Sequence, residues 1–276
     1  MALQSSGAIS LNEIATEFGG DTPHAISEYY RDGGLVPSNN TTVPTSGAID
    51  FADFYDTVAA IVLNITSNTS NYNILTEATA AGYDASTDST PIQVNVSNSA
   101  DVTGSGSYAM RSGALNADSD LTITVESGSF ISGYTGANGS TYSAAGSAGG
   151  DAIYIETNTG GSGTLTVTNN GTVRSGGGGG GHGGISGCRA NFHHDGKGGG
   201  SCVGNYCGSH GSNGSAGGYG AAGGAGTSGS YGGHNACTPS RYTGDGGAGG
   251  AAGYSVRKNS RTVTTGGSGT YTGTIG

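Results

Sequence analysis

Apolar residues recur with a helical period near the start of the chain. Leu11, Ile14, Ala15 and Phe18 fall on one helical face, Ser10 and Glu13 spell a capping box, and Gly19 sits where that helix would stop. A second short helix is expected around Ile26-Ser27-Glu28-Tyr29-Tyr30, ended by Gly33 and Gly34. A third begins at Asp50, with Phe51 and Phe54 on one face. The stretch Ser6-Gly7-Ala8-Ile9-Ser10-Leu11 returns as Ser46-Gly47-Ala48-Ile49-Asp50-Phe51, and each copy reads as a short strand running into a capped helix. From residue 58 the period shortens to two. Ile61–Ile65 and Ile92–Val96 are strand runs. Leu121-Thr122-Ile123-Thr124-Val125 is echoed by Leu165-Thr166-Val167-Thr168-Asn169, as two coils of a β-solenoid or two strands of one sheet would be. Residues 133–150 are already rich in glycine and alanine, so a first glycine strand is expected there.

Beyond residue 175 neither period survives. Roughly two residues in five between Gly176 and Gly253 are glycine, and from Gly208 to Gly232 a glycine stands at every third position. Such a segment cannot build an apolar core and must satisfy its backbone groups otherwise or stay disordered. A three-residue period suits the extended left-handed polyproline II helix, with three residues per turn. Collagen shares the period but leans on proline, and none lies between Gly208 and Gly232. A flexible Gly/Ser linker is the other competitor. The regular period favours a folded polyglycine bundle. A straight run from Gly208 to Gly232 would span about 78 Å at ~3.1 Å per residue, so a compact bundle must bend. The tail after Gly253 returns to Thr, Val and Tyr and reads as an edge strand.

The fold expected is therefore mainly β and irregular, in three parts: a helical head at 1–57, a β-rich, solenoid-like spacer at 58–175, and a polyglycine-II helix bundle at 176–276 that ends in a strand. Composition agrees: 10% of the residues are charged, 33% are hydrophobic and none is tryptophan, a poor recipe for a large aliphatic core. Charge divides the chain. Residues 1–174 carry net −14 and residues 175–276 net +4. The second part also holds five of the six histidines and all four cysteines. A secretory signal and a membrane-length apolar run are both missing from the sequence.

Reactive side chains concentrate in inserts between the glycine tracts, at Ile185–Asp195, Ser201–His210 and Gly233–Thr243. The tracts themselves are read as Gly176–Gly184, Gly196–Gly200, Gly217–Gly226 and Gly244–Gly253. If successive rods run antiparallel, inserts separated by an even number of rods project from the same end. Arg189, Phe192, His193, His194, Tyr206, His210, His234, Arg241 and Tyr242 then form a recognition surface on rigidly supported loops. Cys188, Cys202, Cys207 and Cys237 allow three disulfide pairings, or free thiols. A mixed metal site with His193 and His194 is the alternative, although the spacing matches no known zinc pattern. No cofactor is otherwise expected. G-x-S-x-G and the phosphate-binding G-x-x-x-x-G-K-[ST] do not occur, and the G-x-G-x-x-G match in Gly176–Gly181 is trivial. Asp118 and Asp120 read as solvated turn residues. The chain is not expected to be an enzyme.

The run from Ser6 to Gly20, with Ile26–Tyr30 and Ser46–Ile49, resembles the N-terminal segment of tailed-phage tail and tail-fibre proteins. Thr168–Val173 running into Gly176–Gly181 is also similar to phage fibre proteins. The alternation of tracts and inserts resembles the tail-fibre tip adhesins of T-even-like phages. The resemblance implies a virion protein of the tail or tail fibre, with a polyglycine-II sandwich whose distal loops bind a protein or glycan on the bacterial surface. The head would dock to another virion tail or tail-fibre protein. Leu11, Ile14, Phe18, Tyr29, Tyr30, Phe51 and Phe54 are its candidate attachment residues, with Phe18, Tyr29, Tyr30 and Phe54 expected to be exposed. Neither nucleic acid nor membrane insertion is expected. The competing readings are a structural tail protein without a receptor, and a polyglycine-bundle ice-binding protein.

Overall fold

The computed structural model describes the chain apart from residues 1–2, 21, 32–34, 37–39, 58, 87–88, 158–160, 185–187, 194–200, 208–210 and 229–244, and gives no side-chain account of 188–193 and 201–207.

The head builds three short helices where the apolar period placed them. Helix α1 (Leu11–Phe18) is capped by Ser10, whose capping box with Glu13 is complete, and ends at Gly19. Single 3-10 turns follow at Ile26–Tyr29 and Phe51–Phe54. The second turn repeats the capping box through Asp50 and Asp53. The strand expected ahead of each cap does not form. Instead Gly7 and Gly47 turn the chain at φ 99° and 90°, which only glycine adopts cheaply. Each presents its carbonyl to a tyrosine hydroxyl: Tyr55 donates to Gly7, Tyr30 to Gly47. The echo is thus a repeated turn-and-cap. The expected exposure is corrected too. Ile14, Phe18, Tyr29 and Phe54 are buried and form the head's own core with Val36 and Val43. Tyr29 and Phe18 both pack on Phe54 at 6.3 Å between ring centroids. A segment this short needs its aromatic residues inside to fold.

The β part is mainly parallel. A first coil carries β1 (Ile61–Ile65), β2 (Thr69–Ser70) and β3 (Tyr72–Asn73), and a second carries β4 (Ile92–Val96), β5 (Asp101–Thr103) and β6 (Tyr108–Arg111). A third carries β7 (Leu121–Val125), β8 (Phe130–Ser132) and β9 (Asp151–Tyr154). In the fourth, β10 (Leu165–Asn169) and β11 (Thr172–Arg174) are followed by a hairpin, β12 (Cys188–His193) and β13 (Ser201–Cys207), before β14 (Tyr254–Arg257) closes the coil. The fifth is β15 (Thr264–Gly266), β16 (Thr270–Thr272) and β17 (Thr274–Ile275). Strands of successive coils stack into three five-stranded sheets, a solenoid-like arrangement.

Alternation dictates the stacking. Every second residue points inward and meets its counterpart one coil on: Ile61, Ile92, Leu121 and Leu165 form one ladder, and Leu63, Val94, Ile123 and Val167 the next. Val102, Ile131 and Val173 line the second sheet, and Met110, Ile153 and Val256 the third. A second helix, α2 (Ile74–Ala80), buries Ile74 and Ala78 in the same core.

Between β8 and β9, and again between β11 and β14, the chain leaves the coils as extended glycine-rich rods. Six are described: 133–140, 144–150, 175–184, 211–218, 221–227 and 245–253. The third rod is the hub. Its N–H groups at Gly176, Gly179 and His182 donate to the second rod, and those at Gly178, Gly181 and Gly184 to the fifth. Its carbonyls accept from the first, fourth and sixth, again at every third residue. First and second, second and sixth, sixth and fifth, fifth and fourth rods are bonded in turn, so five rods surround the hub. The sixth direction, between the first and fourth rods, is closed by side chains: Asn138 and Asn213 accept the N–H of Gly180 and Gly183 at 2.7 and 2.9 Å. Glycine is required by space. A Cβ on Gly179 would lie 1.9 Å from the carbonyl oxygen of Ala137, and one on Gly181 1.9 Å from that of Gly247.

Two sequence expectations need correcting. The tract Gly217–Gly226 is not one rod: a turn at 218–221, with Gly220 at φ 74°, folds it into an antiparallel pair, the bend a compact array demands. The architecture also does not change once at residue 175. The first two rods fall within 133–150, where the sequence places a first glycine strand, and the tail 254–276 returns to complete the fourth and fifth coils. The tract 196–200 lies outside the described residues.

Candidate functional site

The hydrogen-bond register gives every rod a direction. The first, third and fifth rods run parallel to one another, and the second, fourth and sixth run back against them. The end where the chain enters and leaves the coils also holds the 218–221 turn, where Tyr219 lies over the Arg174 guanidinium at 4.1 Å and Gly220 donates to the Ser175 carbonyl at 3.1 Å. The opposite, distal end receives the turn 140–143 and the two long connections 185–210 and 228–244.

The described part of the distal rim is polar and tightly tied. Tyr142 stands 47% exposed, with its ring edge-on to His182 at 5.0 Å. Ser143, at φ 62°, donates its amide to Gly183 and its hydroxyl to the Asp245 carbonyl. The Ser228 hydroxyl reaches the Asp245 carboxylate at 3.1 Å, and Ser212 and Thr227 bond side chain to side chain at 3.0 Å. These contacts tie the turn 140–143 to the third and sixth rods, the sixth rod to the end of the fifth, and the fifth to the fourth. A side chain mounted there is held by a frame rather than by a lone loop.

Of the expected recognition residues, Arg189, Phe192 and His193 lie on β12 and Tyr206 on β13. The antiparallel register sets Arg189 opposite Tyr206, Phe192 opposite Cys202 and Cys188 opposite Cys207. The hairpin belongs to the long connection after the third rod, so these positions lie in the distal connections. His194, His210, His234, Arg241, Tyr242 and Cys237 fall outside the described residues. Among the described residues no group of three His, Cys, Asp or Glu side chains is arranged to hold a metal ion. No described helix is long and apolar enough to cross a membrane.

Sequence reading missed Tyr142 and His182. The signal was present: Ser140-Thr141-Tyr142-Ser143 interrupts glycine and alanine just as the longer inserts do, and His182 is the sole non-glycine residue between Gly176 and Gly184. In the head, Phe51 is 44% exposed, while Leu11 and Tyr30 are half-buried, so these three remain on the surface of the seven attachment candidates.

The rods are thus bonded to one another through their backbones, with the turn 140–143 and the two long connections at the end away from the coils. The family model for the phage tail fibre adhesin Gp38 matches residues 60–276, and the chain belongs to that family. A comparison with curated proteins gives no match. Among solved structures, a chain of the gp37-gp38 adhesin tip complex of the bacteriophage S16 long tail fiber is similar at 18% identity, covering 98% of this chain and 99% of that one, with a TM-score of 0.42.

Proposed function

We propose that this chain is the adhesin of a phage tail-fibre tip, and that its glycine rods form a polyglycine-II bundle whose distal loops bind a receptor on the bacterial surface. The observation that carries the reading is that the turn 140–143 and the connections 185–210 and 228–244 all join the rods at the end away from the coils. The alternation of donor and acceptor neighbours around the hub, with a three-residue repeat, supports the polyglycine-II geometry. Family membership supports the virion location. Residues 1–57 precede the matched segment, and we assign them to docking on another tail-fibre protein through the surface around Leu11, Tyr30 and Phe51.

Phe192, Tyr206 and Tyr242 supply stacking, and Arg189 and Arg241 supply bidentate contacts to carboxylate or phosphate. Host-cell adsorption measured beside thermal unfolding tests this. Arg241→Ala or Tyr242→Ala should weaken binding by about 1–3 kcal/mol and leave melting almost unmoved. Full adsorption by the combined Phe192, Tyr206, Arg241 and Tyr242 alanine variant would remove the receptor site from these loops.

A further inference from the structure

A second surface with the character of a ligand site lies at the other end of the rods. Where the third sheet meets the first two rods, the surface folds into a groove of about 420 Å3. That lies within the roughly 300–1,000 Å3 of small-ligand sites. Its floor is backbone at Gly149 and Gly150; a Cβ on Gly150 would sit 2.5 Å from the Gly106 carbonyl oxygen, so the floor stays bare. Tyr134 of the first rod lines it together with Tyr154 and Arg257 of the third sheet.

The sheet register fixes Tyr154 and Arg257 in advance, and Tyr134 is held through its carbonyl, which accepts from Gly150 at 2.7 Å. Tyr154 pairs with Arg111 of the preceding coil and Arg257 of the following one. Its ring leans on Tyr108 at 5.8 Å between centroids, and the Arg111 guanidinium covers Tyr108 at 5.2 Å. Arg257 lies over Tyr254 at 4.1 Å and holds Asp151 through Nε and Nη2. The charges are already matched, Arg257 by Asp151 and Arg111 by Glu156. The Ser107 hydroxyl and the phenol oxygens of Tyr134 and Tyr154 make no hydrogen bond among the described residues. Arg257 has N–H donors beyond the two it gives Asp151.

Preset aromatic faces, unused hydroxyls and a balanced charge select the ligand. An anion gains nothing from a wall whose charges cancel, and a wholly apolar ligand would strand Ser107 and the outer guanidinium N–H groups. A pyranose ring offers an apolar C–H face for the tyrosines and a rim of hydroxyls for the polar groups. We infer that this groove binds a neutral hexopyranose oligosaccharide, stacked on Tyr134 and Tyr154 with its hydroxyls bonded by Ser107 and Arg257. The site is independent of the distal loops and of the receptor reading built on them.

The test titrates the full chain with maltose, cellobiose and lactose by saturation-transfer NMR and calorimetry. At least one disaccharide should bind. Tyr134→Ala and Tyr154→Ala should each weaken it about tenfold, which is 1.4 kcal/mol, while Tyr142→Ala at the distal rim should not change it. Tyr134→Phe, which keeps the ring and removes only the hydroxyl, should retain most of the affinity. Adsorption to cells with and without the bound disaccharide separates a soluble sugar from an envelope glycan: competition supports the groove as a host contact, and its absence supports a free saccharide ligand. No binding of any of the three at tens of millimolar, or undiminished binding by a folded Tyr134→Ala/Tyr154→Ala variant, overturns the site.

Discussion

Through the central coils of the three sheets, most inward-facing residues are apolar side chains seated on their counterparts in the next coil, and each such burial stabilises by roughly 1.5–3 kcal/mol. In the glycine array there is almost nothing to seat. The hub rod is buried apart from His182, yet what it buries is peptide groups, whose carbonyls and most of whose N–H groups bond outward to the surrounding rods in rotation. Both regions direct most of their buried backbone groups to hydrogen-bond partners, as buried chain requires. One holds its elements together by adding side-chain atoms, the other by having none in the way. The two should therefore fail under opposite insults, one under deletion of atoms and the other under their addition.

The largest effect should come from adding atoms to the hub. Gly179→Val places a branched side chain where a Cβ alone would be 1.9 Å from the Ala137 carbonyl oxygen. Backbone cannot step aside as a core side chain can, so the cost should exceed the ~1–3 kcal/mol of ordinary overpacking. Thermal unfolding should show the array lost. A variant that melts like the parent would break the contrast. Next, Ile123→Ala removes atoms from the centre of the ladder and should cost about 2–5 kcal/mol by cavity formation. Asn213→Ala removes a side chain that stands where a sixth surrounding rod would be, and unpairing the buried Gly183 amide should cost about 1–3 kcal/mol. Faster hydrogen exchange at Gly183 would report it directly. Tyr219→Ala takes away one face of the stack on Arg174, which also covers Phe130 at 5.1 Å, and should cost about 0.5–1 kcal/mol.

The smallest effect is acid-dependent. Asp118 accepts the amide and hydroxyl of Ser162, at 2.9 and 3.0 Å, and these bonds hold its carboxyl below the ordinary aspartate range. A lowered folded-state value means the bond contributes above the unfolded aspartate range and is lost as pH falls through the lowered value. Ser162 amide exchange followed down the acid range should accelerate there in the parent, and should show no such step in Asp118→Asn.

What the sequence revealed follows the range of the forces involved. Capping boxes act over three residues, so Ser10 with Glu13 is legible as a local pattern, and Asp50 with Asp53 repeats it with carboxylates in place of the hydroxyl and glutamate. The echo of Leu121 and Leu165 was legible because stacked coils repeat their inward residues, and the two do stand side by side in register. The three-residue glycine period was legible for the same reason. The order of the parts was not. Rod-to-rod bonds link residues 41 apart, as in Gly136 to Gly177, or 102 apart, as in Gly146 to Ala248, and peptide groups carry no residue-specific signature of such partners. A helical stripe is equally silent about its occupant. Phe18 and Phe54 mark an apolar face, but nothing local says whether it meets the head's own turns or another protein.

The two departures from the coils lie one above the other. The chain leaves at Ser132 and, one level on, at Arg174, which pair in register and are joined by Arg174 Nε to Ser132 Oγ at 3.0 Å. It returns at Asp151 and at Tyr254, whose amide donates to the Asp151 carboxylate at 2.7 Å. All six rods are thus spliced into the coils along a single vertical seam, at four points. The rods join the coils through four chain crossings that lie side by side, with the turn at Tyr219 seated on Arg174 beside them, so the array is anchored at one end of its length only.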